Sequence, residues 1–148
     1  MICVEQAERA LEAGAGFLVS PGTSEELLQF AAERQVPIFP GICTPSEIMR
    51  ALAFGCDVVK FFPAVPYGGV KTIKALAAPF PQVKFMPTGG IQEENLGEFL
   101  ALPQVIACGG SWMVKDSLIK EKQFDRIEEL TRRAMALIKE GAYAGAGH

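Results

Sequence analysis

The chain has 148 residues, 49% of them hydrophobic and 21% charged, with 15 Gly and 10 Pro spread along it rather than gathered in a tract. That length suits one domain of about 100 to 200 residues with a core that needs no metal or disulfide staple, and it excludes a multidomain assembly or a disordered segment. Fourteen Lys and Arg against 17 Asp and Glu give a net charge of −3 with no basic run, so nucleic acid and anionic membrane surfaces have no electrostatic footprint here.

Apolar runs such as Asp57 to Pro66 are short and interrupted, far from the ~18 consecutive apolar residues of a transmembrane helix. The first nine residues are acidic and amphipathic, unlike a signal peptide, and the expected location is the cytoplasm. Cys3, Cys43, Cys56 and Cys108 form no C-x-x-C pair, and the single His is the last residue, His148. The cysteines therefore read as small core residues in a reducing compartment, and no metal site is expected. Without an internal His, neither a Ser-His-Asp nor a Cys-His arrangement is available.

In chain order, amphipathic stretches alternate with short apolar runs that end in Pro or Gly, the pattern of β/α units on a parallel sheet. A helix over Cys3 to Ala13, with Val4, Ala7, Ala10 and Leu11 on one face, precedes a strand at Gly16 to Ser20. Thr23-Ser24-Glu25-Glu26 opens the next helix, followed by a strand at Val36 to Pro40. Thr44-Pro45-Ser46-Glu47 opens another, with Pro at the first helical position, and leads to a strand at Asp57 to Phe62. Helices at Gly69 to Ala77 and Gln92 to Leu100 flank a strand at Val83 to Pro87, and Val105 to Cys108 is the fifth strand. A last helix, Asp125 to Lys139, buries Ile127, Leu130, Ala134 and Leu137. The strand starts lie about 20 to 26 residues apart, which leaves room only for strand, tight loop, helix and tight loop. Residues 1–140 are expected to form one β/α domain and 141–148 a flexible tail. Five parallel strands suit an open doubly wound sheet or part of an eight-stranded barrel, and periodicity alone does not choose.

In both architectures ligands lie at the C-terminal ends of the strands. The unusual residues collect there: Ser20-Pro21-Gly22, Pro40-Gly41, Lys60-Phe61-Phe62-Pro63, Pro87-Thr88-Gly89-Gly90 and Gly109-Gly110-Ser111-Trp112. Lys60 stands between Val58-Val59 and Phe61-Phe62, where an ammonium ion is costly and a neutral amine is favoured. Such an amine is the nucleophile that forms a Schiff base with a carbonyl compound; the alternative is a strand-end lysine that snorkels to water or pairs with an acid. Thr88-Gly89-Gly90 and Gly109-Gly110-Ser111 each lead from a strand end toward a helix, where free N–H groups favour a phosphate, or are simply tight turns. Gly68-Gly69 either covers the mouth or makes a turn. One of Phe61 and Phe62 must face the pocket if its neighbour faces away.

Val-Val-Lys60-Phe-Phe-Pro-Ala, Pro-Thr88-Gly-Gly-Ile and Gly-Gly-Ser111-Trp, in this order and spacing, resemble the 2-keto-3-deoxy-6-phosphogluconate (KDPG) and 4-hydroxy-2-oxoglutarate (KHG) aldolases. Ser20-Pro21-Gly22 and Phe39-Pro40-Gly41-Ile42 fit the same pattern, and the resemblance runs from about Val4 to Ile138. It implies a class I aldolase, an aldehyde-lyase, on a β/α TIM-type barrel, assembled as a homotrimer and needing no cofactor or metal. Its partner would be a small phosphorylated keto acid. Lys60 matches the Schiff-base lysine; Thr88, Gly89, Gly90, Gly109, Gly110 and Ser111 match the phosphate-binding segments; Pro21 and Phe62 match pocket walls. The resemblance also implies three strands ahead of the first helix, bearing a catalytic Glu, an Arg for the substrate carboxylate and a Gly-Thr loop. None of these maps onto the sequence. The chain is therefore expected to hold the last five of eight β/α units, as a fragment or behind a misplaced start, and to be a weak or inactive aldolase by itself. A phosphate-binding β/α remnant is the second reading, and an open flavodoxin-like domain the third.

Overall fold

The computed structural model describes residues 1–144, with side-chain surroundings through Ile138. Helices and strands alternate as α1 (Val4–Glu12), β1 (Leu18–Val19), α2 (Glu25–Glu33), β2 (Ile38–Phe39), β3 (Gly41–Ile42), α3 (Pro45–Ala53), β4 (Val58–Phe61), α4 (Gly69–Ala77), β5 (Lys84–Phe85), α5 (Glu93–Leu100), α6 (Asp116–Lys120) and α7 (Phe124–Ala144). The helix starts follow from local chemistry. Ser24 Oγ accepts from Leu27 N–H at the head of α2. Thr44 Oγ1 accepts from Glu47 N–H while Glu47 Oε2 accepts from the N–H groups of Cys43 and Thr44, a capping box that satisfies donors the first turn of α3 leaves free. On α7, Ile127, Leu130, Ala134 and Leu137 are the positions withdrawn from solvent, as the 3.6-residue period requires.

All strand pairings are parallel and run in chain order. β1 pairs with β2, β3 with β4, and β4 with β5. β2 and β3 are two halves of one extended segment that meet at Pro40. Pro40 offers its carbonyl to Lys60 N–H at 2.9 Å but has no N–H of its own, so the ladder to β4 begins at that point. The run expected to end at Pro40 therefore continues through Ile42.

The segment Val105 to Gly109 joins the far side of β5 through two separate bridges, Phe85 with Val105 and Thr88 with Gly109. The paired residues are three apart on one side and four apart on the other, so one extra residue bulges from the ladder. Ile106 N–H donates to Phe85 O, and the next bond on that side comes from Gly109 N–H to Pro87 O. Pro87 has no N–H to return to Ile106 O, and the bulge sits opposite it. This is why Val105 to Cys108, expected as a continuous strand, pairs only at Val105, with the next bridge one residue beyond it at Gly109.

The helices cover one face of the sheet. Leu18, Ile38, Ile42, Val59, Phe61, Val83 and Phe85 are buried against them, in one cluster built on α1 and α2 and a larger one built on α3, α4, α5 and α7. The alternate residues Val19, Phe39, Val58, Lys60, Lys84 and Met86 are only half-buried, and Phe17, 57% exposed, leans on Phe39 from the same open side. A doubly wound sheet reverses its strand order and carries helices on both faces. Neither holds among the described residues, which disfavours the flavodoxin-like expectation.

One open alternative is decided and two local expectations change. Gly68 and Gly69, at φ 93° and 56°, make the turn that starts α4. Helix α6 was not foreseen, because five residues are too few to display a period. Helix α7 continues through Ala144, so the first four residues of the expected tail are helical; residues 145–148 lie outside those described.

Candidate functional site

The alternation along β4 decides which residues can do chemistry. Val59 and Phe61 are fully buried in the helix-side core, and Val58, Lys60 and Phe62 emerge on the open face. Phe62 is thus the ring that faces the site. The Lys60 Nζ lies 4.3 Å from the centroid of the Phe62 ring. Burial against these apolar neighbours pushes the Lys60 pKa below its ordinary 10.5, and desolvation is the sole cause. Lys60 is in none of the salt bridges among the described residues. The side chain is half-buried, so the amine keeps a path to water while its burial shifts it toward the neutral, nucleophilic form.

The neighbours of Lys60 are tied to it through the sheet. Gly41 is its partner across the β3–β4 ladder. A Cβ on Gly41 would fall 2.1 Å from the Pro21 carbonyl oxygen, so only glycine lets the Ser20–Gly22 turn lie against the strand beside the lysine. Ser20 is 2% exposed, and its hydroxyl donates to Gly22 O at 2.7 Å, which closes that turn. Pro21 itself is exposed.

On the other side, Gly89 and Gly90 both have positive φ, 97° and 80°. A Cβ at Gly89 would meet Phe62 Cδ2 at 3.3 Å, so the first glycine turn packs directly on the residue that carries the lysine contact. Thr88 bridges to Gly109, and a Cβ on Gly109 would stand 2.6 Å from Thr88 Oγ1. Gly110 lies under the flat indole of Trp112, whose Cζ3 occupies a position 1.7 Å from where a Cβ would be. Ser111 is exposed, with its carbonyl accepting from Val114 N–H at 3.2 Å. The N–H groups of Gly89, Gly90, Gly110 and Ser111 have no acceptor among the described residues. Thr88, Gly89, Gly90, Gly109 and Gly110 are therefore brought together with Lys60 and Phe62 in one chain of contacts, with Pro21 joined through Gly41 and Ser111 at the open end.

Three acids of helix first turns are occupied elsewhere. Glu47 closes the α3 capping box, and its carboxyl is held below the ordinary 4.5: burial acts against this, and the hydrogen bonds from Cys43 and Thr44 outweigh it. Glu25 pairs with Arg50 at 3.0 Å and Glu93 with Arg133 at 2.7 Å. The four cysteines are free and half-buried rather than fully buried, and burial pushes the Cys108 thiol up to about 11, away from a reactive thiolate. No group of three or more His, Cys, Asp or Glu residues that could hold a metal ion occurs among the described residues, and no described helix is long and apolar enough to cross a membrane.

Sequence reading missed three contributors to this site. Gly41 was noted with Pro40 at a strand end but given no role, and Val65 and Asn95, which both touch Gly90, were not singled out. Asn95 alone left a local trace, since it stands three residues after Gln92 at capping-box spacing.

Fold and site together define a β/α protein with a half-buried lysine on the open face of a parallel sheet, flanked at the C-terminal strand ends by glycine turns with free amides. Comparison with known proteins narrows the class. Residues 1–130 match the family model of the KDPG and KHG aldolases, and the chain belongs to that family. It is 46% identical over 138 residues to the 2-dehydro-3-deoxy-phosphogluconate aldolase of Treponema pallidum, covering 93% of this chain and 66% of that protein. It superposes with a TM-score of 0.85 on a KDPG aldolase from Legionella pneumophila solved with pyruvate captured as a covalent carbinolamine intermediate, at 42% identity over 92% of this chain and 65% of that one. The aldolase of Zymomonas mobilis solved with 3-phosphoglycerate matches at TM-score 0.84 and 34% identity, over 92% and 64%. The chain spans less than two thirds of the length of the curated relatives it matches, 57 to 66%.

Proposed function

We propose that the chain carries the Schiff-base centre of a class I aldolase that cleaves 2-keto-3-deoxy-6-phosphogluconate to pyruvate and glyceraldehyde 3-phosphate, and 4-hydroxy-2-oxoglutarate to pyruvate and glyoxylate. The observation that carries this reading is the desolvated Lys60 amine on the open face of β4, adjoined by two turns with unused backbone donors. Lys60 Nζ attacks the C2 ketone to give a carbinolamine, which loses water to form a protonated imine. The imine nitrogen accepts the electron pair of the C3–C4 bond as it breaks and the C4 hydroxyl proton departs, leaving an aldehyde and an enamine. Protonation at C3 and hydrolysis release pyruvate and restore the amine, so no redox partner or cofactor takes part. The free N–H groups of Gly89, Gly90 and Gly110 and the Ser111 hydroxyl hold the substrate phosphate, Thr88 and Gly109 set the spacing of the two turns, and Pro21 and Phe62 wall the pocket.

In this reading the described strands are the last five of an eight-unit TIM-type barrel, residues 1–140 act as one domain, and the protein assembles as a cytoplasmic homotrimer. A specific observation favours a second reading, a phosphate-binding protein of this fold with little turnover: no carboxylate among the described residues perturbs Lys60, whereas a positioned acid or base typically contributes 10² to 10⁴-fold.

Borohydride reduction in the presence of pyruvate, followed by peptide mapping, tests the centre. The adduct is expected on Lys60, and Lys60→Arg should abolish it. An adduct on Lys71, Lys74 or Lys84 instead overturns the assignment. Pyruvate release from the phosphorylated substrate, measured on the same preparation, then separates the two readings.

A further inference from the structure

The first glycine turn is gripped by its carbonyls. Ala64 N–H donates to Thr88 O at 2.8 Å and Val65 N–H to Gly89 O at 3.0 Å. Asn95 Nδ2 donates to Gly90 O at 3.1 Å. In a trans peptide the C=O and the following N–H point in opposite directions. Each grip therefore aims the next amide, in turn those of Gly89, Gly90 and Ile91. None of these three N–H groups finds an acceptor among the described residues. Thr88 meets Ala64 on one side and Gly109 on the other, so the Gly89 N–H is turned toward the second glycine turn.

Two of the three grips come from the backbone that continues the Lys60 strand, and only the third is a side chain. Asn95 does two things with one amide group: Oδ1 accepts from Gln92 N–H at 2.9 Å while Nδ2 holds Gly90 O. Reversing the amide would set a donor against a donor and an acceptor against an acceptor, so the pair of bonds fixes its orientation. Behind the turn, a Cβ on Gly90 would sit 2.6 Å from the Val65 Cβ, so only glycine fits at this position.

We infer that Asn95 is a positioning residue for anion binding: it acts through Gly90, locking the turn to the head of α5 so that successive backbone N–H groups converge on a phosphate group. The inference deepens the proposed function and rests on its assignment of this turn to a phosphate.

The test is a titration of the ¹⁵N-labelled chain with 3-phosphoglycerate, following the Gly89, Gly90 and Ile91 amides, with pyruvate capture at Lys60 measured in parallel. Asn95→Ser keeps a small uncharged polar side chain but is too short to reach Gly90 O. Its Kd for 3-phosphoglycerate is expected to rise about 2- to 12-fold, the equilibrium factor of one net hydrogen bond, and this loss should exceed any change in pyruvate capture. An unchanged Kd, or equal losses of both ligands, overturns the inference. A wild-type chain whose turn amides do not respond to 3-phosphoglycerate overturns the phosphate assignment itself, and the inference with it. If Asn95→Ser fails to fold, Asn95→Asp keeps the acceptor for Gln92 N–H and exchanges the donor for a carboxylate oxygen; its Kd for 3-phosphoglycerate should rise at least as much, and an unchanged Kd overturns the inference.

Discussion

Replacing Gly110 with alanine puts one methyl group where the indole of Trp112 already lies. The added carbon would be 1.7 Å from Cζ3 and 2.2 Å from Cε3. Ordinary contact begins at 3.4 Å, so the ring must retreat by roughly 1.7 Å, and being rigid it moves as one plate. Overpacking of this kind costs about 1 to 3 kcal/mol, and nothing in the backbone adds to it, since Gly110 does not have a positive φ. With a urea slope of about 2 kcal/mol per molar, the unfolding midpoint should fall by about 0.5 to 1.5 M. Trp112 is the only tryptophan of the chain and is 7% exposed, so its emission reports the displacement directly. The native-state spectrum of Gly110→Ala should shift to the red. Gly16→Ala, where a Cβ meets nothing within 4 Å, is the control and should match wild type in both midpoint and colour. A Gly110→Ala chain with wild-type emission and midpoint would show that the indole does not press on the second glycine turn.

Two further outcomes are expected. Gly41→Ala drives a methyl group into the Pro21 carbonyl and should cost at least as much as Gly110→Ala, because a backbone atom has less freedom to yield than a side chain; Gly22→Ala, with open space around it, should be neutral, and equal urea midpoints for the two variants would refute the close approach. The second concerns pH: burial favours the neutral Lys60 amine, so the folded chain releases that proton below the ordinary 10.5. Between the two values the unfolded state binds more protons and stability rises with pH, while below the folded pKa both states are charged and the burial penalty is present in full. Pyruvate trapping on Lys60 by cyanoborohydride should likewise climb with pH to a plateau whose midpoint lies below 10.5, and a midpoint at or above it would remove the desolvation argument.

How much of this was legible depends on whether the cause was local. The α3 capping box is written in four consecutive residues, Thr44 to Glu47, and α4 begins and ends where the apolar spacing and flanking glycines place it. Lys60 was conspicuous because a charge in an apolar run has few innocent explanations. The features that escaped depend on a partner far along the chain. Pro40 reads as the end of a strand, yet its carbonyl is what β4 pairs with. Gly41 stood out only as one of the unusual residues at a strand end, and its reason is a carbonyl twenty residues earlier, at Pro21. Asn95, three residues after the N-cap Gln92, bonds back to it as the spacing allows, and its second bond, to Gly90 O, becomes visible only when turn and helix are seen together.

The extra residue opposite Pro87 sets two demands on the chain against each other. Removing Ala107 would let the fifth segment zip along β5 at regular intervals, and any pressure for a longer ladder favours that deletion. The deletion leaves Gly109 three positions after Val105, as Thr88 is after Phe85, so both bridges keep their register; Pro87, however, still has no N–H to give, and the regular ladder would hold a carbonyl without its donor. Redesign that idealises this edge is therefore expected to gain stability only where residue 87 also regains an N–H, so that Pro87 and the bulge must change together.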